Sequence, residues 1–282
     1  MRVHLLAFAV TAIAALPPAA HAIDCARASS PIEHMICGNS ALLRADAAMG
    51  TAYAAILKAA PDPEIHAMLV TSQKRWIAAR DDAFGHLDKV TDGRTGEGFS
   101  KATQRSLVLR ATQDRTKDLT AMSDKDPKQL RLIQAALKQR RFAAQFIGGP
   151  FAGFDTSCGF LPRNGGDPGY DYACFGTLQY QNSDRICGQT QDWATYRVYT
   201  SRTIADVVAG EPKLIATCKE DGCFDDEAHD TGWNTYPDAA SDGIVLPKSL
   251  RKLDAEVGDE EEEPWLKACL TDKHFPQTGS HK

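Results

Sequence analysis

Eight cysteines, at positions 25, 37, 158, 174, 187, 218, 223 and 269, carry the most constrained chemistry in this 282-residue chain. Such a set can form disulfides, hold zinc or leave a reactive thiolate, and each use needs its own spacing and compartment. Cys218 and Cys223 form the one closely spaced pair, and neither a second close pair nor a His-x-x-x-His partner accompanies them, which weighs against zinc. A cysteine nucleophile needs an unpaired thiol. Disulfides are the expected use of all eight, provided the chain reaches an oxidising compartment.

Other reactive side chains form no recognisable constellation. The chain has no G-x-S-x-G elbow, H-E-x-x-H helix, P-loop or dinucleotide glycine pattern. Of its eight histidines, His4 and His21 fall in the N-terminal leader described below and His281 lies at the end; His34, His66, His86, His229 and His274 are scattered without motif partners. No catalytic residue, cofactor-binding residue or metal ligand is assigned. Two acidic stretches stand out: Asp225, Asp226 and Glu227 with Asp230, and the run from Asp259 to Glu263 that includes Glu260, Glu261 and Glu262. The first does not have the spacing of an EF-hand loop. Both read as solvated acidic surface, with contact to a cationic partner as the alternative.

The compartment follows from the N-terminus. Arg2 supplies a positive charge, Leu5 to Leu16 is apolar but too short to span a bilayer, and Pro17 and Pro18 lead into Ala20-His21-Ala22, a small-residue cleavage site. Residues 1–22 are expected to be a cleavable secretory signal peptide, with the mature chain starting near Ile23. Cys25 invites comparison with a lipid-anchor site, but Ile23 and Asp24 stand where a lipobox needs small residues, so a soluble periplasmic or secreted protein without a membrane anchor is expected.

The elements that must position the cysteines divide at the middle of the chain. Ser30-Pro31-Ile32-Glu33 has the form of a capping box opening a short helix to Cys37, ended by Gly38, with Ser40 as the expected cap of the next helix. Cys25 and Cys37 bracket that helix, and a bridge between them would stabilise it by about 3 kcal/mol. Leu42, Leu43, Met49, Tyr53, Ile56 and Leu57 recur at helical spacing; so do Ile65, Leu69, Trp76 and Ile77 after Pro61 and Pro63, then Leu107, Leu109, Leu119 and Met122, then Leu130, Ile133, Leu137 and Phe142. Asp92 to Gly98 reads as a loop. After Gly148-Gly149-Pro150 the texture becomes β-prone: Phe175 to Tyr180, Tyr196 to Ile204 and Leu214 to Thr217 are expected strands, with Asn182-Ser183-Asp184 and Gly210-Glu211-Pro212 as turns. The six cysteines of this half allow fifteen pairings; the preferred ones are Cys158–Cys174, Cys223–Cys269 and Cys187–Cys218.

Charge divides at the same place. Residues 23–146 hold 19 Lys and Arg against 14 Asp and Glu, and residues 147–282 hold 12 against 23. An acidic second half repels nucleic acid and attracts basic partners. The expected fold class is α+β: an all-α helical bundle followed by a disulfide-rich, mainly β domain. The expected divisions are 23–125 for the bundle, 126–149 for a helical linker and 150–282 for the acidic β domain.

Three blocks in the first half resemble a known family. They are Asp24-Cys25-Ala26-Arg27-Ala28 with Glu33 and Ile36-Cys37; Arg75-Trp76-Ile77 with Arg80-Asp81; and Thr112 with Arg115-Thr116 and Leu119. In order and spacing residues 23–122 are similar to the LprI-like domain of secreted and lipid-anchored bacterial proteins, named for a lysozyme inhibitor. Members often carry a second disulfide, and Phe84 and Leu107 stand at the corresponding positions here. The resemblance implies that this contact persists as apolar packing. For Arg75, Trp76, Arg80, Asp81, Thr112 and Arg115 a structural role is expected in preference to ligand recognition, with Trp76 in the core and Arg80 or Arg115 paired with Asp81 or capping a helix end.

The resemblance implies a binding protein: a periplasmic inhibitor of lysozyme-type or other cell-wall hydrolases that occludes the target's cleft. Its partner would be a basic hydrolase such as a lysozyme, met by the acidic stretches or by the Asp92 to Gly98 loop. Two other readings stand beside it. One is an immunity protein against a toxic effector; the other is an envelope enzyme or assembly factor that uses the helical domain as an adaptor.

Overall fold

The computed structural model describes residues 23–87, 98–163, 169–194, 197–219, 232–235, 246–257 and 264–276. The expected signal segment, most of the expected 92–98 loop and both acidic stretches lie outside the described residues.

The helical half follows its local signals closely. Asp24 caps a 3-10 turn at Cys25–Arg27. Ser30 and Glu33 close a capping box on α1 (Pro31–Cys37), and Gly38 ends it. Asn39, not Ser40, caps α2 (Ser40–Ala59): its side-chain oxygen accepts from the backbone N–H groups of Ala41 and Leu42 at 3.0 and 3.1 Å, which places Ser40 inside the helix. Asp62 caps α3 (Pro63–Phe84) and Ser100 caps α4 (Lys101–Thr120). Met122, expected on α4, lies past its end and is exposed; Val108 takes the fully buried position on that helix. The helix α5 spans Arg131–Ala143.

The second half is a five-stranded antiparallel meander, β1 (Gly153–Pro162), β2 (Tyr170–Asn182), β3 (Arg185–Ala194), β4 (Arg197–Val208) and β5 (Glu211–Lys219), paired in chain order. The expected strands at 175–180 and 214–217 fall within β2 and β5, and the one at 196–204 within β4 but for Tyr196, which lies outside the described residues. The sequence reading missed β1 and β3, whose glycines, cysteines and polar residues mask a strand pattern. The turn expected at Gly210-Glu211-Pro212 sits one residue earlier: Ala209 and Gly210 both take positive φ, as a two-residue hairpin requires, and Pro212 is already paired with Val207. A last helix, α6 (Pro264–Thr271), lays Trp265, Leu266, Cys269 and Leu270 into the core.

The chain is thus α+β, but its core does not stop at residue 149. One buried cluster runs from Ile32, Ile56, Trp76 and Val108 in the helices to Phe160 on β1 and to Leu253 and Ala255 beyond the sheet. Phe160 packs on Phe84 with ring centres 4.8 Å apart and edge-on to Trp76 at 6.2 Å. Phe84 and Leu107, expected to persist as an apolar contact, are both buried in this cluster. Within the segment expected as a helical linker, α5 gives Leu132, Ile133 and Ala136 to the helical core and Phe142 to a second core shared by the sheet and α6.

Disulfides tie these layers together. Cys25 is bonded to Cys37, and Cys158 to Cys174 across β1 and β2. The other two preferred pairings are corrected: Cys187 is bonded to Cys269, and Cys218 to a partner outside the described residues. Cys187 pairs in register with Ile204 on β4, which in turn faces Ala216 on β5. A whole strand therefore separates Cys187 from Cys218, about 10 Å of sheet, beyond the reach of a disulfide.

Candidate functional site

The resemblance residues converge on the junction between helices and sheet. Arg75 on α3 pairs with Asp254 at 2.6 Å, and Arg115 on α4 pairs with Glu256 at 2.9 Å. Arg75 also lies 3.7 Å from Glu256, so two guanidinium groups and two carboxylates form one array. All four are nearly sealed from solvent, and the Asp254 side chain is fully buried. Arg115 extends its remaining donors to Gln73 Oε1 at 3.0 Å and Ser72 Oγ at 2.7 Å. Its guanidinium also lies over the Tyr172 ring of β2, 5.8 Å from the centre. Burial, and then the charge of Glu256, pushes the Tyr172 hydroxyl well above the ordinary phenol range.

The segment bearing the carboxylates is held from the other side by α5. Gln139 donates to the Asp254 carbonyl at 2.9 Å and accepts from the Asp254 N–H at 3.1 Å. Glu256 Oε2 is buried without a hydrogen-bond partner, and the other charges of the array are paired and desolvated, so that they fix the geometry of the junction. Trp76 is in the core, as expected, and Arg80 lies 5.3 Å from its ring centre. Asp81 is bonded to Arg80, while Arg115, the other expected partner, turns instead to Glu256. Thr112 is buried and returns its hydroxyl to the Val108 carbonyl.

Sequence reasoning missed Asp254 and Glu256. Their only signal is the alternation Leu253-Asp254-Ala255-Glu256-Val257, next to an acidic run that draws attention to the surface. Cys158, Cys174 and Glu256 bring two sulfurs and a carboxylate within 4.8 Å of one another. Both sulfurs are consumed in a disulfide, so no thiolate is left to bind a metal.

A second feature is open. A cleft of about 600 Å³ lies among α1, the end of α3 and the start of α4, lined by His34, His86, Lys101 and Arg105 together with Met35 and Phe84. The fold gathers two of the scattered histidines beside two cations. None of the four basic side chains has a hydrogen-bond or ion-pair partner among the described residues.

Compared with known proteins, residues 25–119 match the family model described as lysozyme inhibitor LprI. No curated protein and no solved structure matches the chain. The match contains the Cys25–Cys37 bridge and every resemblance residue from Arg75 to Arg115, but it ends before the carboxylates that neutralise the two arginines. The matched segment is therefore completed, electrostatically and in its core, by the second half of this chain. No described helix is long and apolar enough to cross a membrane.

Proposed function

We propose that the protein is an exported inhibitor of lysozyme-type or other cell-wall hydrolases, acting in the periplasm or outside the cell by occluding the enzyme's cleft. The observation that carries this reading is the match of residues 25–119 to the lysozyme-inhibitor family, with the cysteine pair and the arginine–tryptophan blocks in place. On this reading the contact surface is not the face carrying Arg75 and Arg115, because the sheet and the 253–257 segment cover it. The α1–α3–α4 cleft remains, where Lys101 and Arg105, without partners among the described residues, offer cations to acidic side chains of the target. Glycosidase clefts are built around paired carboxylates, the complementary charge. The acidic stretches at 225–227 and 260–262 would steer a basic hydrolase toward the molecule.

The test is lysis of cell-wall substrate by a c-type lysozyme in the presence of oxidised protein starting at Ile23. Stoichiometric inhibition that weakens at high salt is expected, and absence of inhibition at every salt concentration overturns the reading. Reversing the cleft charge with K101E and R105E together is expected to weaken inhibition about tenfold or more. An unchanged inhibition constant moves the contact surface elsewhere.

A further inference from the structure

Ile23 stands two residues before Cys25, whose bridge to Cys37 fastens this end of the chain to α1. Asp24 accepts from the Ala26 N–H at 3.1 Å and so sets the direction in which the chain enters. Ile23 is thereby held at a cleft of about 220 Å³ that it lines with Asp46, Met49, Tyr53, Ile77 and Arg80, and its side chain packs on the helical core. Its main-chain nitrogen lies 2.7 Å from Asp46 Oδ2.

Asp46, on α2, is 5% exposed. The Ile23 nitrogen is the one hydrogen-bond or ion-pair partner of its carboxylate among the described residues. The nearby charges are committed elsewhere: Arg80 to Asp81 and the Trp76 ring, and Glu33 to the Ser29 and Ser30 N–H groups at the start of α1. A buried carboxylate whose only partner is a neutral amide N–H is poorly compensated. An ammonium at the same nitrogen would supply the missing charge at ion-pair distance.

We propose that this nitrogen is a free α-ammonium in the working protein, released by cleavage after Ala22, and that it is the counter-ion of Asp46. Hydrolysis of the Ala22–Ile23 amide consumes one water, leaves the new carboxylate on the leader and the new amine on Ile23. That amine is mostly protonated at neutral pH. Processing then does more than remove an address: it creates the charge that pins the first residue into the helical core, and the precursor lacks that ion pair. The proposal rests on the export reading and goes beyond it, since neither the family match nor the inhibition assay bears on it.

Two measurements decide it. N-terminal sequencing of the protein recovered from the periplasm or medium of a bacterial host is expected to begin at Ile23; another start overturns the proposal. Denaturant unfolding is then compared for oxidised protein with a free and with an acetylated Ile23, each in the native and Asp46→Asn backgrounds. Acetylation keeps the N–H and removes the charge. It is expected to lower the folded-to-unfolded ratio about tenfold or more in the native background and by much less with D46N. Equal stability of free and acetylated protein, or an equal loss in both backgrounds, overturns the ion pair. Should D46N not fold, the native-background comparison decides alone. Lysozyme inhibition read on the same samples reports separately on the proposed function.

Discussion

Arg115 is 2% exposed and makes four separate interactions, with Gln73, Ser72, Glu256 and the face of Tyr172. Removing it leaves Glu256 buried with only the longer 3.7 Å approach to Arg75. R115M is expected to cost about 3–5 kcal/mol, measured by urea unfolding, because the penalty is that of an uncompensated buried charge. Adding E256M should restore much of it; a double variant as unstable as the single one would show that packing, not charge, is the issue. At the surface, hydrogen bonds from Arg140, followed by helix N–H groups, hold the Asp62 carboxyl down to about 2. A depressed acid favours the folded state above its unfolded pKa, and that contribution is lost as pH falls through about 2. Asp62→Asn keeps the cap acceptor for α3 and removes the charge. Its stability is therefore expected to equal that of the native protein near pH 1 and fall below it above about pH 4. Acid titration of unfolding checks the sign.

Among the elements, those with strong local punctuation were legible in advance. Ser30, Pro31 and Pro63 mark helix starts through geometry that needs no distant partner, whereas the caps Asn39, Asp62 and Ser100 emerged only with the structure. The strands β1 and β3 were not legible because their residues are selected by neighbours on both sides: β3 buries Arg185 and Gln189 beside Ile186 and Cys187, so no simple alternation survives. The helix α6 owes its place to the sheet beneath it and to the Cys187–Cys269 bridge, which closes a separation of 82 residues. Replacing both cysteines by alanine is expected to cost about 4 kcal/mol in chemical denaturation. A much smaller loss would mean that Trp265, Leu266 and Leu270 hold α6 without covalent help.

For the whole molecule, the consequence of the shared core is that the helical half should not stand alone. A chain ending at 149 would expose the surface around Trp76 and Phe84 that Phe160 covers, and would strip Arg75 and Arg115 of their carboxylates. Such a truncation is expected to lose cooperative thermal unfolding, followed by circular dichroism and by binding of a hydrophobic dye. A sharp transition at the native midpoint would show that the helices are self-sufficient.

From the sequence alone come the α+β class, the capping box that opens α1, the resemblance of residues 23–122 and the Cys25–Cys37 bridge. These depend on local geometry or on short spacings, which a linear reading samples directly. Tertiary structure alone decided that Cys187 meets Cys269, that Asp254 and Glu256 neutralise Arg75 and Arg115, that His34 and His86 share a cleft, and that Ile23 reaches Asp46. Each of these joins elements through packing, where side chains distant in the chain become neighbours because the core between them must close.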